Sequence, residues 1–129
     1  MYFSYHIAAF CRLIADAEKD YAWNQAEMKR LDALTQDYLH KLELGELDYR
    51  GRAKIATKIA ECRKQRRACK DIVQLLEPVV SFLDTKNGRG AINSLKNVLG
   101  ELRKIERYLN NAVYIPRVLG YDEYEEAGK

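Results

Sequence analysis

The sequence predicts an all-α fold, a helical bundle built on a long N-terminal helix of coiled-coil type. Of its 129 residues only 7 are Gly and 2 are Pro, while 32% are charged, a composition typical of long helices. Apolar residues recur in alternating steps of three and four, as on the buried face of a helix. With 47% hydrophobic residues, the chain has enough apolar material for one core. We therefore expect a single domain over residues 1–129, with three helices and a C-terminal arm.

The first helix is expected over residues 1–44, a stretch without Gly or Pro. Its apolar positions form a heptad seam, which the polar residues Asn24 and Thr35 interrupt. As one helix it is about 60 Å long, against a radius of gyration of about 14 Å for a compact domain of this size. It therefore either protrudes and pairs or breaks between Asp20 and Asn24, and we expect the unbroken helix, ending at Gly45. The seam positions are Phe3, Ile7, Phe10, Ile14, Ala17, Tyr21, Asn24, Met28, Leu31, Thr35, Tyr38 and Leu42.

The second helix is expected over residues 48–86, with Asp48 as its N-terminal capping residue. Pro78 either kinks this helix or ends it one turn early. Arg66 falls at a seam position where the pattern requires an apolar side chain. The seam positions are Ile55, Ile59, Cys62, Arg66, Cys69, Val73, Leu76, Val80 and Leu83.

The third helix is expected over residues 90–112, after a turn that the composition of residues 86–90 predicts. Backbone N–H groups at a helix start can bind an anion, but an ordinary turn is the simpler interpretation here. Because Pro116 excludes a continued helix, residues 113–129 are expected to form an extended, acidic arm. This arm is either a solvated terminus or a segment that folds onto the basic helix of its own chain or of a neighbour. The seam positions of the third helix are Ile92, Leu95, Leu99, Leu102, Ile105 and Leu109.

Charge is distributed unevenly along the chain. The net charge is +3 overall, yet residues 50–70 hold nine Lys and Arg against one acid, Glu61, which makes the rest of the chain net acidic at −5. Like charges three and four residues apart on a helix repel one another, so a phosphate-bearing ligand bound there relieves the repulsion. Arg is well suited to this role because its planar guanidinium makes bidentate contacts to phosphate.

The candidate ligand-binding residues lie on this basic helix. Arg63, Arg67 and Lys70 form one column, and Arg66 adjoins it on the seam. Tyr49 and Arg52 are expected as outer members, because aromatic rings among arginines suit a nucleotide or a single-stranded nucleic acid. Against this stands the simpler interpretation that the basic face is solvated. A further alternative pairs it with acids of the first helix, namely Glu27, Asp32 and Asp37.

The sequence gives little support for catalysis, and we expect a protein that is not an enzyme and holds no metal or cofactor. His6 and His40 lie far apart, and neither has metal-ligand spacing. Cys62 and Cys69 are about 10 Å apart along one helix, too far for a disulfide. Together with Cys11 they indicate small buried residues in a reducing, cytoplasmic compartment. Charged residues interrupt the apolar N-terminus, so we expect neither a signal peptide nor a membrane span.

One stretch carries a resemblance. The segment YRGRAKIATKIAECRKQRRACKDIVQLLEPVVSFL, with VYIPRV further on, resembles small helical accessory proteins of phages and prophages of Gram-positive bacteria. The resemblance covers the second half of the chain and brings no catalytic motif with it. It implies the context of a phage protein in the host cytoplasm, where such proteins often act in counter-defence, as inhibitors of CRISPR nucleases or as sponges for immune nucleotide signals.

Three functions therefore stay open. The first is a non-enzymatic counter-defence protein that sequesters a phosphate-bearing ligand, such as a cyclic nucleotide. The second is a nucleic-acid-binding or nuclease-inhibiting protein, and the third is a helical adaptor without a ligand. In each case we expect a homo-oligomer, because the first helix is too long for its own globule and its seam begins with large apolar residues.

Overall fold

The computed structural model describes residues 2–112 and Gly120. Within these residues the chain is all helical and has no strand, which confirms the predicted fold class. The expected extended arm, residues 113–129, lies outside the described residues apart from Gly120. The helices, in chain order, are α1 (Phe3–Leu44), α2 (Tyr49–Asp84) and α3 (Lys86–Asn111).

Helix α1 is unbroken over its 42 residues, so it is about 63 Å long. The polar residue Asn24 does not interrupt it, because the side-chain amide of Asn24 donates a hydrogen bond to the Asp20 carbonyl at 2.7 Å. The helix ends at Gly45, as the sequence predicts, and the Gly45 N–H donates to the Lys41 carbonyl at 2.9 Å. The long-helix prediction is therefore confirmed.

Helix α2 begins after Asp48, whose carboxylate accepts a hydrogen bond from the Gly51 N–H at 2.7 Å. This is the capping role that the sequence predicts for Asp48. The helix then passes through Pro78 and ends only at Asp84. Pro78 has no N–H to donate to the carbonyl of Gln74, one turn earlier, but the packing of the helix on α1 outweighs that loss.

The predicted turn at residues 86–90 is wrong, because Lys86 to Gly90 form the first turn of α3. Thr85 alone separates α2 from α3, and its hydroxyl oxygen accepts a hydrogen bond from the Gly88 N–H at 2.9 Å. A Cβ atom on Gly88 would lie only 1.8 Å from the Phe82 carbonyl oxygen. Glycine is thus required here because the two helices approach each other closely. From composition alone, the same residues predict a turn.

Helices α2 and α3 pack against α1 one after the other. Both run antiparallel to α1, since residue numbers on α1 fall as those of their partners rise. Helix α2 covers α1 from Tyr21 onward, and α3 covers its N-terminal part. Along most of its length α1 therefore has one neighbouring helix rather than two. The cross-helix bonds are Asp32 to Arg66, Tyr21 to Glu77, Glu18 to Arg89 and Ser4 to Glu106.

The core follows the predicted seams for most of the structure. A central cluster of Leu31, Cys62 and Cys69 is buried, and Met28, Leu34 and Tyr38 pack against it. The burial of both cysteines agrees with their predicted role as small core residues. In α3 the seam prediction fails beyond Leu99, since Ile105 and Leu109 are 52% and 64% exposed. The buried seam residues are Ala17, Asn24, Leu31, Ile55, Cys62, Cys69, Leu83, Ile92 and Leu99.

Two faces of α1 are left uncovered by this arrangement. Ser4 and Glu18, which contact α3, lie on the same face as Asp32, because residues fourteen apart on a helix nearly align. Past Glu18, where the contact with α3 ends, no helix within residues 2–112 fully covers that face. The face of Leu31, which α2 covers, continues to Phe3 and Phe10, where α2 has ended. None of the three helices has an apolar stretch long enough to cross a membrane.

Candidate anion-binding groove

The first open face forms a groove between α1 and α2, with a volume of about 670 Å³. It lies beside the two helices at the level where α3 has not yet joined them. We call it the basic groove, and its lining residues are Asp32, Ala33, Thr35, Gln36, Leu39, Arg63, Arg66, Arg67 and Lys70.

Four of the six sequence-predicted site residues line the basic groove. Arg63, Arg66, Arg67 and Lys70 come together because steps of three and four place them on one flank of α2. Tyr49 and Arg52 are not part of it. They lie in the first turn of α2, and the separation of eleven positions from Arg52 to Arg63 corresponds to about 16 Å along the helix.

Arg66 is paired with an acid of α1. Its Nε donates to Asp32 Oδ1 at 2.6 Å, and the two side chains are 38% and 55% exposed. The seam position of Arg66, where the pattern requires an apolar side chain, thus borders the groove instead of the core. An ion pair this exposed contributes about 0–1 kcal/mol to stability. Of the other expected acids, Glu27 pairs instead with Arg30 on its own helix.

The remaining cations of the basic groove are more available. Arg67 has only a loose contact, with 3.6 Å between its Nε and Asp71 Oδ1, and 74% of its side chain is exposed. Within residues 2–112, neither Arg63 nor Lys70 forms an ion pair. The groove thus presents four cationic side chains against one lining carboxylate. Such an excess attracts an anion with several charged oxygens.

The α1 wall of the basic groove contributes polar and apolar surface. The Thr35 hydroxyl donates to the Leu31 carbonyl at 2.8 Å, so its oxygen still has capacity to accept. Gln36 adds an exposed amide, and Ala33 and Leu39 add small apolar contacts. The lining contains no aromatic ring, so recognition here rests on charge and hydrogen bonds and not on base stacking.

Sequence reasoning missed most of this wall. Asp32 appears among the expected acids, but Thr35, Gln36 and Leu39 do not appear as site residues. Their spacing of three, four and seven residues from Asp32 places them on one face of α1. That spacing becomes informative only once the end of the α3 contact shows that this face is open.

A second cavity, of about 630 Å³, lies between the N-terminal part of α1 and α3. It holds two arginines, Arg12 and Arg103, beside Tyr5 and His6, whose rings meet edge to face at 5.7 Å. Its cationic charge is half that of the basic groove. In the part of the chain that the structure describes, no group of three or more His, Cys, Asp or Glu side chains is placed to hold a metal ion.

Comparison with known proteins adds no relative. No protein-family model, no curated protein and no solved structure matches this chain.

Proposed function

We propose that this protein is a non-enzymatic binder of a phosphate-bearing ligand, which it holds in the basic groove. The observation that carries the proposal is the convergence of four cations on one groove that contains a single carboxylate. Phosphate suits these side chains, because arginine makes charge-assisted, bidentate contacts to its oxygens. In this proposal Arg66 stays near Asp32 and turns part of its guanidinium to the ligand, while Arg63, Arg67 and Lys70 supply the remaining contacts.

We infer that the ligand is a nucleotide, such as a cyclic nucleotide signal, and that its sequestration serves counter-defence in the host cytoplasm. The groove volume of about 670 Å³ supports a small molecule, since ligand sites commonly span about 300–1,000 Å³. The resemblance to phage accessory proteins supports the biological role. Because no ring lines the groove, the ligand's phosphates carry the affinity, and its base lies towards solvent or against Ala33 and Leu39.

One observation favours nucleic acid as a second candidate. Arg52 lies eleven residues before Arg63 and eighteen before Lys70, so all three share one flank of α2. This basic flank is about 27 Å long, long enough to follow several phosphates of a strand. Binding to such a lattice releases many counterions and weakens steeply with salt, whereas a small ligand in the basic groove weakens less.

The test is a thermal-shift panel of cyclic nucleotides, linear nucleotides and short single-stranded DNA and RNA, at two salt concentrations. A ligand at 100 times its dissociation constant stabilises the fold by about 2.7 kcal/mol. We expect a cyclic or linear nucleotide to raise the Tm with a shallow salt dependence. A steep salt dependence with DNA or RNA favours the nucleic-acid candidate, and no shift with any anion favours a ligand-free adaptor.

The matched variants compare two pairs of cations on the same helix. Replacing Arg63 and Arg67 with alanine should lower ligand affinity at least thirtyfold, or about 2 kcal/mol, because charge-assisted hydrogen bonds contribute about 1.5–3 kcal/mol each. Replacing Lys58 and Lys64, which are exposed outside the basic groove, removes the same charge and should change affinity less than threefold. Equal losses from both pairs would show that net charge, and not the groove, binds the ligand.

A further inference from the structure

The second open face of α1 carries large apolar side chains that the fold leaves exposed. Phe3, Phe10 and Leu13 on α1 are 62%, 45% and 62% exposed. Val98, Ile105 and Leu109 on α3 are 48%, 52% and 64% exposed. We call these six residues the apolar face. A cluster of this kind on a small protein marks an interaction surface.

The three residues of the apolar face on α1 and the three on α3 lie on the same side of the contact between these helices. On the opposite side of that contact, Tyr5, Ala8 and Arg12 of α1 meet Arg103 of α3 around the second cavity. Phe3 and Phe10 flank the contact residue Ser4 on the other side of α1. On α3, Ile105 and Leu109 flank the contact residue Glu106 on the side away from Arg103. Since the helices are antiparallel, these two flanks face the same way.

The apolar face continues an interface that exists within the chain. Phe3 and Phe10 hold the same heptad position as Leu31, which is buried against Cys62 and Cys69 of α2. At Asp84 α2 ends and α3 takes a different side of α1, so the place of a helix beside Phe3 and Phe10 is empty within residues 2–112.

No lysine or arginine lies among the residues of the apolar face, and the nearest acid is Glu101, between Val98 and Ile105 at the outer edge of the α3 part. On α1 the positions that share the face of Phe3 and Phe10 are Leu13 and Ala17, and His6 lies at the border with the second cavity. On α3 the matching positions are Ala91, Val98, Leu102, Ile105 and Leu109. A nucleic acid, a phosphate or an acidic segment finds no counter-charge here, so the surface suits another apolar helix surface.

We propose that the apolar face binds the same face of a second copy of this chain, about a two-fold axis. The α1 and α3 helices of the two copies then form a four-helix section, in which each copy supplies the helices missing beside the other. An identical face is a fitting occupant because its six residues are all apolar, and a two-fold axis pairs Phe3 of one copy with the region of Leu13 in the other. This inference is independent of the basic groove, which lies on another flank of α1.

Sedimentation equilibrium of the full-length protein over micromolar concentrations tests the proposal. We expect a species of twice the 15.0 kDa chain mass. Phe10→Glu and, separately, Ile105→Glu should each give a monomer, because either places a charge in the apolar face. Trp23→Glu is the matched control, since Trp23 is 62% exposed on α1 but outside this face, and it should remain a dimer.

Circular dichroism of each variant keeps the result interpretable, because a monomer counts only if its helix content equals that of the wild type. A wild-type protein that is monomeric throughout overturns the proposal. If Ile115→Asp then makes the full chain associate, the occupant of the apolar face is the chain's own segment of residues 113–119. A dimer that survives both Phe10→Glu and Ile105→Glu places the interface elsewhere and also overturns the proposal.

Discussion

Arg66 and Asp32 form the contact between the two walls of the basic groove. Their charges partly cancel, which leaves Arg63, Arg67 and Lys70 as the available cations. In the proposed binding mode, a phosphate competes with Asp32 for Arg66 and is repelled by the carboxylate. We therefore expect Asp32 to oppose ligand binding at the same pair of side chains that joins the walls of the empty groove.

This competition predicts opposite effects from two substitutions. Asp32→Asn should raise ligand affinity roughly fivefold, because like charges about 4 Å apart repel by about 1 kcal/mol in water. Arg66→Ala should lower affinity about thirtyfold, through the loss of about 2 kcal/mol of charge-assisted contact. Each should cost at most about 1 kcal/mol of stability, since the pair is exposed. Titration calorimetry and thermal unfolding of both variants measure the two quantities. A large loss of stability from Arg66→Ala with unchanged affinity would make the pair structural and contradict the site.

At the scale of elements, the start of α1 is capped by a residue of α3. The Glu106 carboxylate accepts hydrogen bonds from the Ser4 hydroxyl and from the Ser4 N–H, the latter at 3.0 Å. The Ser4 hydroxyl, followed by the Ser4 N–H, lowers the pKa of Glu106. Because Tyr2 offers no side-chain cap to α1, this long-range bond serves the N–H groups that a helix start leaves without partners.

The lowered pKa of Glu106 predicts an acid-sensitive contribution to stability. Its folded-state pKa lies below the unfolded value of about 4.3, so this contribution is present above that value and is lost as pH falls through the folded pKa. Glu106→Gln should lower the Tm at neutral pH and flatten its decline in acid. Glu101→Gln is the control, since Glu101 makes no hydrogen bond or ion pair within residues 2–112. Scanning calorimetry from neutral to acid pH checks both, and an unchanged acid profile for Glu106→Gln would contradict the capping role.

The junction of α2 and α3 gives a second prediction at this scale. Gly88→Ala should destabilise the protein by about 1–3 kcal/mol, the usual cost of overpacking, because its Cβ would meet the Phe82 carbonyl. Gly100 also lies in α3, but nothing lies within 4 Å of its ideal Cβ. Gly100→Ala should therefore stabilise by about 0.5–1 kcal/mol, the propensity difference in a helix. Chemical denaturation of the pair tests this, and two changes of the same sign would contradict the close approach at Gly88.

Features that depend on local chemistry were predictable from the sequence. Asp48 and Gly45 mark helix ends through their own backbone and side-chain preferences, and the seam of Leu31 and Cys62 follows from periodicity. Gly88 led to the wrong prediction of a turn. Glycine is needed there because a side chain would clash with Phe82, a residue of another helix. Turn composition and close helix packing look the same in sequence, so the start of α3 was placed too late.

For the candidate site, too, the sequence predicts which residues share one flank of a helix. Arg63, Arg66, Arg67 and Lys70 share a flank of α2, so their convergence follows from spacing. Tyr49 and Arg52 share that flank too, but periodicity carries no information about how far along the helix a groove extends. Nor does periodicity show whether a partner is present, which is why Ile105 and Leu109 were expected in the core although α3 exposes them.

At the scale of the whole molecule, the succession of α2 and α3 along α1 produces both surfaces. Where α2 alone covers α1, the flank that α3 occupies elsewhere becomes the basic groove. Where α3 alone covers α1, the flank that α2 occupies elsewhere becomes the apolar face. One surface suits an anion and the other a second copy of the chain, and they lie towards opposite ends of a helix about 63 Å long. The proposed ligand binding and the proposed self-association should therefore respond to separate substitutions.

The bond between the two ends of the helical part joins the last turn of α3 to the start of α1. The Asn110 amide donates to the Tyr2 hydroxyl at 2.8 Å, one turn beyond the contact between Ser4 and Glu106. Along α1, Tyr2 is about 45 Å from Asp32 in the basic groove. That distance is several Debye lengths, since one Debye length is about 8 Å at physiological salt. The charges of Arg12 and Arg103 at this end of the molecule are therefore screened from the basic groove.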